Sequence, residues 1–154
     1  MVLLQIGEPG EPTSTHRVRQ VALGIDLGTT NSLVAHYDGH ETTVLRDDAG
    51  RAALPSVVYY GGEETAVGHV AEAFSPTEPA NTVASAKRLL GRAREEFSDD
   101  PYVTLTSEGA LAYATAAGEK TPVEVSSAIL SALRCRAEQR LDGAIAGAVI
   151  TVPA

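Results

Sequence analysis

The sequence contains little cysteine, few basic residues and no long apolar run, and each of these shortages excludes a class of protein. Its 154 residues include one cysteine, Cys135, which has no partner for an internal disulfide, so we expect a reducing compartment. Lys and Arg number 12 against 20 Asp and Glu, and the net charge of −8 argues against a surface for nucleic acid or anionic membranes. No apolar run approaches the roughly 20 residues that cross a bilayer, and the short apolar run at the start lacks the preceding basic residue of a signal peptide. We therefore predict a cytoplasmic protein with no membrane or nucleic-acid partner.

Several familiar site motifs are also missing. The phosphate-binding pattern GxxxxGK[ST] is absent, and no nucleophile, base and orienting acid stand in a recognisable hydrolytic arrangement. His36 and His40 approach a metal-ligand spacing, but no Cys or acid completes the set. We therefore predict no metal site at these histidines, and we expect Cys135 to be a buried or half-buried thiol on a helix.

Three β-rich runs follow one another near the start and predict an antiparallel meander. The runs are VALGIDLG, SLVAHYD and ETTVLRD, and the Asp38-Gly39 pair between the second and third is a strong hairpin signal. Further along, the pattern predicts a strand over 57–60 and a short strand-to-helix passage in TAVGHVAEAF. Two more β-runs, PYVTLTS and ALAYATA, are expected with turns at Gly109 and Gly118.

Two further helices are predicted, and the longer one has clear end signals. Thr121, Pro122 and Glu124 supply an N-cap, a proline at the first helical position and a glutamate at the third, which together make a capping box. An apolar stripe with a four-residue spacing follows: Val125, Ile129, Leu133, Ala137 and Leu141. Gly143 ends this helix, and GAVITVPA predicts another strand. The shorter helix is predicted over 82–90, with Gly91 as its stop signal.

The distribution of these elements predicts an α/β lobe with a smaller unit inside it. Residues 1–19 are polar and rich in Pro and Gly, and we interpret them as a flexible N-terminal arm. Long elements lie in 20–54 and 123–154, which we assign to the core of the lobe. The intervening 55–122 is more broken and is interpreted as an inserted small subdomain.

The stretch GIDLGTTNS places an acid, Asp26, in a strand immediately before a tight turn with hydroxyl side chains. If the turn Gly28-Thr29-Thr30-Asn31 faces a ligand, its successive N–H groups can form an anion-binding nest, to which the Thr hydroxyls add donors. Asp26 would repel a bound phosphate by about 4 kcal/mol at about 4 Å and an effective dielectric constant of about 20. A hydrated magnesium ion between the two groups reverses the sign of this interaction. Alternatively, the stretch is a plain hairpin with local hydrogen bonds.

Lys87, in ASAKRLLGR, is the second candidate residue. It stands next to Arg88 near the end of a predicted helix, where a solvated cation is favoured by the helix dipole. Its spacing alone therefore assigns it no role in catalysis.

Three stretches, taken in order, resemble the DnaK-type heat-shock chaperone family: GIDLGTTNSLVA, AKRLLGR and AVITVPA. LPSVV, which follows a DAGR loop, fits the same pattern. The opening MVLLQIGEPG, followed by HRVRQVALGIDLGTTNSLVA, further resembles the members of this family that serve iron–sulfur cluster assembly. The resemblance covers essentially the whole chain and is weakest over 92–120.

This resemblance implies an actin-like ATPase fold of the ribonuclease H type, in which ATP and Mg²⁺ bind between two lobes and of which this chain is a partial domain. It implies that the turn holds the β- and γ-phosphates through Gly28, Thr29, Thr30 and Asn31. Asp26 would contact the magnesium ion through water. Lys87 would reach the γ-phosphate and orient the attacking water, with Thr29 as the other catalytic residue. Pro153 would relay the nucleotide state to a peptide-binding domain.

The resemblance also implies partners and leaves alternatives open. An ATP-dependent chaperone would work with a J-domain co-chaperone and a client peptide, here an iron–sulfur scaffold protein. A chain that ends at Ala154 would lack the second phosphate loop and the adenine pocket, so we expect it to bind ATP weakly, to hydrolyse it negligibly and to self-associate. The alternatives are an actin-like filament protein and a carbohydrate kinase of the same superfamily, and AKRLLGR and ITVPA favour the chaperone over both.

Overall fold

The computed structural model describes residues 20–92 and 101–151, and these residues form strands, two helices and two 3₁₀ turns. In chain order the strands are β1 (Gln20–Asp26), β2 (Asn31–Tyr37), β3 (Thr42–Val44), β4 (Leu54–Pro55), β5 (Val57–Tyr59), β6 (Ala66–Val67), β7 (Thr82–Ala84), β8 (Val103–Leu105), β9 (Leu111–Thr115), β10 (Gly118–Lys120) and β11 (Ala144–Ile150). The helices are α1 (His69–Glu72) and α2 (Pro122–Arg140), and the 3₁₀ turns span Pro79–Asn81 and Ala86–Leu89.

The largest sheet has the strand order β11-β1-β2-β3, and β4 pairs with the start of β2. Strands β1, β2 and β3 form the predicted antiparallel meander, with the predicted Asp38-Gly39 turn between the last two. Strand β11 pairs parallel to β1, up to Ile25 opposite Ile150. A parallel neighbour requires a long crossover, and α2 lies within the connection that returns the chain to β1.

Helix α2 packs against the buried face of this sheet and begins at the predicted capping box. The N–H of Glu124 donates to Thr121 Oγ1 at 3.2 Å, and the N–H of Thr121 donates to Glu124 Oε2 at 2.7 Å. The second of these bonds lowers the pKa of Glu124. Four members of the predicted apolar stripe are buried in the same core as the buried residues of β1: Val125, Ile129, Leu133 and Ala137. The fifth member, Leu141, is half-buried.

The outer face of α2 carries Cys135, which is exposed, so the prediction of a buried or half-buried thiol was wrong. Leu133 and Ala137, two positions away on either side, are buried in the core. Two positions along a helix correspond to a rotation of about 200°, so Cys135 faces the opposite side.

None of the helices within residues 20–92 and 101–151 has the length and apolar character that a membrane-spanning helix needs.

The helix predicted over 82–90 was wrong. Strand β7 takes its first three residues and pairs with β5, where Val83 lies opposite Val58 and both are buried. Ser85 then adopts a left-handed conformation with φ 58°, and the single 3₁₀ turn Ala86–Leu89 follows. Pairing with a distant strand thus outweighs the weak tendency of so short a segment to form a helix.

Two three-stranded antiparallel sheets form from the middle of the chain. The sheet β6-β5-β7 contains the strand predicted over 57–60, which ends at Tyr59, and α1 follows β6 as TAVGHVAEAF predicts. The sheet β10-β9-β8 contains the two later β-runs, with the predicted turns at Gly109 (φ 82°) and Gly118 (φ 90°). Both sheets contribute buried residues to the core that contains α2.

The loop before β4 is tied to the last turns of α2. Arg136, which is buried, donates from Nη1 to the carbonyl oxygen of Ala52 at 2.8 Å, and Arg140 Nη2 lies 2.6 Å from Asp48 Oδ1. Burial lowers the pKa of Arg136. These contacts fix the path by which the chain enters β4 and then reaches the end of the β1–β2 hairpin.

Candidate functional site

Asp26 is the last residue of β1 and lies at one end of the large sheet. Buried and exposed residues alternate along β1, and Asp26 falls on the exposed face. Across the hairpin it pairs with Leu33 of β2. The carboxylate is therefore presented at the surface, directly beside the turn that joins the two strands.

The turn between β1 and β2 closes so tightly that it requires glycine at position 28. A Cβ atom added to Gly28 would overlap the carbonyl oxygen of Asn31. The φ angle of Gly28 is not positive, so glycine is needed here for a close approach of two backbone segments and not for a left-handed conformation. This close approach gathers the backbone groups of residues 28–31 into a small volume, as a phosphate-binding nest requires.

Ser56, immediately after β4, holds this turn in place. Its hydroxyl donates to the carbonyl oxygen of Gly28 at 2.8 Å, and its N–H donates to the carbonyl oxygen of Thr30 at 2.8 Å. Its Oγ also lies 2.9 Å from Ser32 Oγ, and both serines are buried. The support from Ser56 uses carbonyl oxygens of the turn and therefore takes up none of its N–H groups.

The side chains of the turn differ in exposure. Thr30 and Asn31 are exposed, and Gly28 and Thr29 are half-buried. A polar ligand that approaches this end of the sheet therefore meets hydroxyl groups, a side-chain amide and the Asp26 carboxylate together.

Thr151, the residue after β11, reaches the same place from the parallel neighbour of β1. Its hydroxyl donates to Asp26 Oδ1 at 2.7 Å and accepts a hydrogen bond from the N–H of Leu27 at 3.2 Å. Its own N–H donates to the carbonyl oxygen of Ile25 at 3.0 Å. Two distant segments, at Ser56 and at Thr151, thus converge on the end of β1.

Lys87 is half-buried in the 3₁₀ turn Ala86–Leu89. The first and last residues of that turn are buried and anchor it in the core. Ser85 precedes it with φ 58° and ψ 26°, a left-handed conformation that costs a non-glycine residue about 1–2 kcal/mol. The backbone position of Lys87 is thus fixed, whereas its flexible four-carbon side chain lets the ammonium group move.

The segment that contains Lys87 is connected to the β1–β2 turn through one strand pair. Val57, which follows Ser56, pairs with Ala84 of β7, and Lys87 comes shortly after Ala84. Within the described residues, Lys87 is not part of the hydrogen-bonded group at the end of β1. The structure thus brings Asp26 and the turn 28–31 together and leaves Lys87 as a separate element.

The remaining sequence predictions concern residues away from this group. Pro153 lies outside the described residues. His36 Nδ1 lies 3.3 Å from the carbonyl oxygen of Ala22, and His40 lies in the β2–β3 turn. In residues 20–92 and 101–151, no three His, Cys, Asp or Glu side chains are grouped as metal ligands. A metal ion at Asp26 would therefore take most of its ligands from water and from a bound phosphate.

The donor set at this end of the sheet suits a hydrated magnesium ion together with a phosphate group. Mg²⁺ keeps several waters and binds through few carboxylates together with phosphate oxygens, and Asp26 offers one exposed carboxylate. The turn offers hydroxyl and backbone N–H donors for the phosphate. The residues present therefore fit both groups.

Three residues that organise this site were not identified from the sequence: Ser32, Ser56 and Thr151. Each is a small hydroxyl residue within or at the end of a strand-forming run, as in LPSVV and AVIT. A hydroxyl in such a run indicates a hydrogen bond to a neighbouring backbone or polar group. The pattern therefore shows that a partner exists, but it does not show which distant residue the partner is.

The matches to known proteins include every residue of this candidate site. The family model described as "Hsp70 protein" matches residues 22–154. Proteins named "Chaperone protein HscA homolog" match 100% of the chain, with 51% identity in Methylobacillus flagellatus, 51% in Actinobacillus pleuropneumoniae serotype 5b and 49% in Vibrio parahaemolyticus. The chain spans 25–26% of the length of these relatives, about a quarter. The chain belongs to the Hsp70 protein family.

Proposed function

We propose that this chain is the N-terminal part of the nucleotide-binding domain of an ATP-dependent molecular chaperone, and that the turn 28–31 holds the phosphates of ATP. One observation carries the proposal: the exposed carboxylate of Asp26 stands beside a turn that closes too tightly for a side chain at position 28. An acid next to an anion-binding turn is unfavourable unless a cation lies between them. The match to the Hsp70 family favours a chaperone over an actin-like filament protein or a carbohydrate kinase.

The turn binds the β- and γ-phosphates in this proposal, through Gly28, Thr29, Thr30 and Asn31. Its N–H groups and hydroxyls are the donors, and Asp26 accepts a hydrogen bond from a magnesium-bound water. When bound, the magnesium ion supplies positive charge that offsets the charge of the phosphate oxygens. Because Ser56 holds two carbonyl oxygens of the turn, the donors keep their alignment when nucleotide binds.

Lys87 and Thr29 act in hydrolysis in the same proposal. The Lys87 ammonium is a compact charge on a flexible side chain, suited to contact the γ-phosphate and to orient the attacking water. The Thr29 hydroxyl donates to the γ-phosphate. Phosphoryl transfer depends mainly on positioning and on electrostatic stabilisation, so these two side chains can serve without a nucleophile of the protein.

The proposal extends to partners and location through the resemblance to the HscA homologues, which are named as chaperones. The complete protein would bind a client, such as an iron–sulfur scaffold protein, and a J-domain co-chaperone in the cytoplasm. Pro153 would relay the nucleotide state from this domain to the client-binding part of the protein.

The same proposal divides the chain into parts of an actin-like lobe. Residues 20–54 and 123–154 belong to the lobe core, 55–122 to an inserted small subdomain, and 1–19 to an N-terminal arm. The division of the strands among sheets supports this layout, because the large sheet is built from β1 to β4 and β11, and the two small sheets from the strands between them. The shared core of α2 and these sheets implies that the parts pack together.

The proposal is tested in the complete protein by Asp26→Asn, which removes the charge that the magnesium ion requires and keeps the shape of the side chain. We expect ATP hydrolysis to fall by about a hundredfold or more, the effect of losing one group that stabilises transition-state charge. The affinity for MgATP should fall, whereas the affinity for ATP in EDTA should stay the same or rise, because a repulsion is removed.

The matched control is Asp142→Asn, since Asp142 is an exposed acid shortly before β11, at the opposite end of the β1–β11 pair from Asp26. It should leave hydrolysis and both affinities at their wild-type values. Equal hydrolysis in the two variants, or a wild-type protein whose ATP affinity does not depend on Mg²⁺, would contradict the proposal.

A further inference from the structure

Strand β11 contains one residue more than the part of β1 with which it pairs. Val21 lies opposite Ile145, but Ala22 lies opposite Gly147, so Ala146 has no partner in β1. This is a β-bulge in a parallel pair, where such irregularities are uncommon. It changes the register of every residue that follows it in β11.

The bulge decides which residue stands beside Asp26. Before it, paired residues differ by 124 positions (145 − 21), and after it they differ by 125 (147 − 22). Asp26 and Thr151 also differ by 125, as their hydrogen bond confirms. If the first register continued to the end of the strand, Ile150 would stand beside the acid in place of Thr151, because residues in register on neighbouring strands share a face.

The hydroxyl of Thr151 makes two hydrogen bonds that a hydrocarbon side chain cannot make. It accepts from the N–H of Leu27 at 3.2 Å and donates to Asp26 Oδ1 at 2.7 Å. Because the hydroxyl oxygen accepts the first bond, its proton is available for the carboxylate, and the two bonds together fix the direction of the Thr151 hydroxyl. One carboxylate oxygen is thereby held, and the other remains available to water because the Asp26 side chain is exposed.

We propose that Thr151 is a positioning residue for Asp26, brought there by the extra residue Ala146, and that it orients the carboxylate toward a hydrated divalent cation. This inference rests on the proposed function of the turn. A carboxylate already held in one orientation loses less conformational freedom when the cation and its waters bind. Thr151 therefore acts on the affinity for magnesium nucleotide through Asp26, without touching the nucleotide.

The test compares Thr151→Val with Thr151→Ser in the complete protein. Valine keeps the branched shape and loses the hydroxyl, whereas serine keeps the hydroxyl. The affinities for MgATP and for ATP in EDTA are measured by calorimetry, and the melting temperature of each variant is recorded. We expect Thr151→Val to weaken MgATP binding by about tenfold, the loss expected for one hydrogen bond to a charged group. ATP binding in EDTA should change little, and Thr151→Ser should match the wild type in both measurements.

A double variant separates positioning from a general structural role. If Thr151 acts through Asp26, adding Thr151→Val to Asp26→Asn should cause no further loss of magnesium-dependent affinity. Equal losses with and without Mg²⁺, a further loss in the double variant, or a tenfold loss in Thr151→Ser would overturn the inference. Failure of the proposed function is recognised separately, because the wild-type protein would then bind ATP equally well with and without Mg²⁺.

Discussion

The two parts of the candidate site are held in place by different forces. The turn 28–31 and its acid are fixed by hydrogen bonds from two distant segments, at Ser56 and at Thr151. The segment of Lys87 is fixed by packing, because the first and last residues of its 3₁₀ turn are buried in the core. The first arrangement fixes backbone atoms of the site itself, and the second fixes only the point from which a long side chain extends.

This difference is consistent with the separate roles proposed for the turn and for Lys87. Preorganised backbone donors bind an anion without reorganisation, which suits the binding of a phosphate group. A flexible cationic side chain on an anchored backbone suits a group that acts on a ligand already bound. We therefore expect changes at Lys87 to alter turnover and changes at the turn to alter nucleotide affinity.

The largest effect is expected for Lys87→Ala in the complete protein. Turnover should fall by about a hundred- to a thousandfold, as when one charge-stabilising group is removed, while the affinity for MgATP changes by less than about tenfold. Single-turnover hydrolysis and calorimetry measure the two quantities. Arg88→Ala is the control, because Arg88 is an exposed cation in the same 3₁₀ turn and should leave both unchanged. Unchanged turnover in Lys87→Ala would remove the lysine from the mechanism.

Gly28→Ala should reverse that pattern. The new Cβ would overlap the carbonyl oxygen of Asn31, so the turn must open, at a strain cost of about 1–3 kcal/mol. If nucleotide binding requires the closed turn, this strain opposes binding, and MgATP affinity falls by up to about a hundredfold. Gly24→Ala is the matched control, since a Cβ there meets nothing within 4 Å and Gly24 lies in the neighbouring β1. Similar MgATP affinities in the two variants would show that the tight turn does not hold nucleotide.

Ser56→Ala should give the smallest effect of the three. It removes the hydroxyl bonds to Gly28 and Ser32 but keeps the N–H bond to Thr30, so the turn is loosened and not opened. The free energy of unfolding, measured by chemical denaturation, should fall by about 1–3 kcal/mol, and MgATP affinity should fall by about tenfold or less.

Ser126→Ala is the control for that variant, because Ser126 is also buried and donates to a backbone carbonyl oxygen, that of Pro122. It should lower stability and leave MgATP affinity unchanged. If both serine variants affected nucleotide binding equally, the effect would come from stability and not from the turn.

Local signals in the sequence were sufficient for much of the fold. The capping box at Thr121 and Glu124 and the apolar stripe that follows it predicted α2, since both depend on residues within a few positions of each other. The β1–β2–β3 meander was likewise predicted from its alternating runs and its Asp38-Gly39 turn. The segment 82–90 was mistaken for a helix because its structure depends on pairing with β5, which no pattern inside the segment reveals.

The site could be predicted only in part, for the same reason. The acid and the glycine-led turn are contiguous, so both could be predicted as a candidate phosphate site from GIDLGTTNS. Ser56 and Thr151 are 28 and 125 positions from their partners Gly28 and Asp26, and only the folded sheet brings them together. The exposure of Cys135 depends on which face of α2 meets the core, and the stripe that begins at Val125 could have indicated it.

The extra residue in β11 limits where the length of this chain can vary. Residues 141–143, between α2 and β11, take no part in the pairing of β11 with β1, so a change of length there does not by itself shift the register of the two strands. A single insertion or deletion between Gly147 and Ile150 would instead carry the wrong side chain to the acid. We therefore expect length differences among related chains to fall before this strand and not within it, and a graft of the strand into another protein must keep the extra residue at position 146.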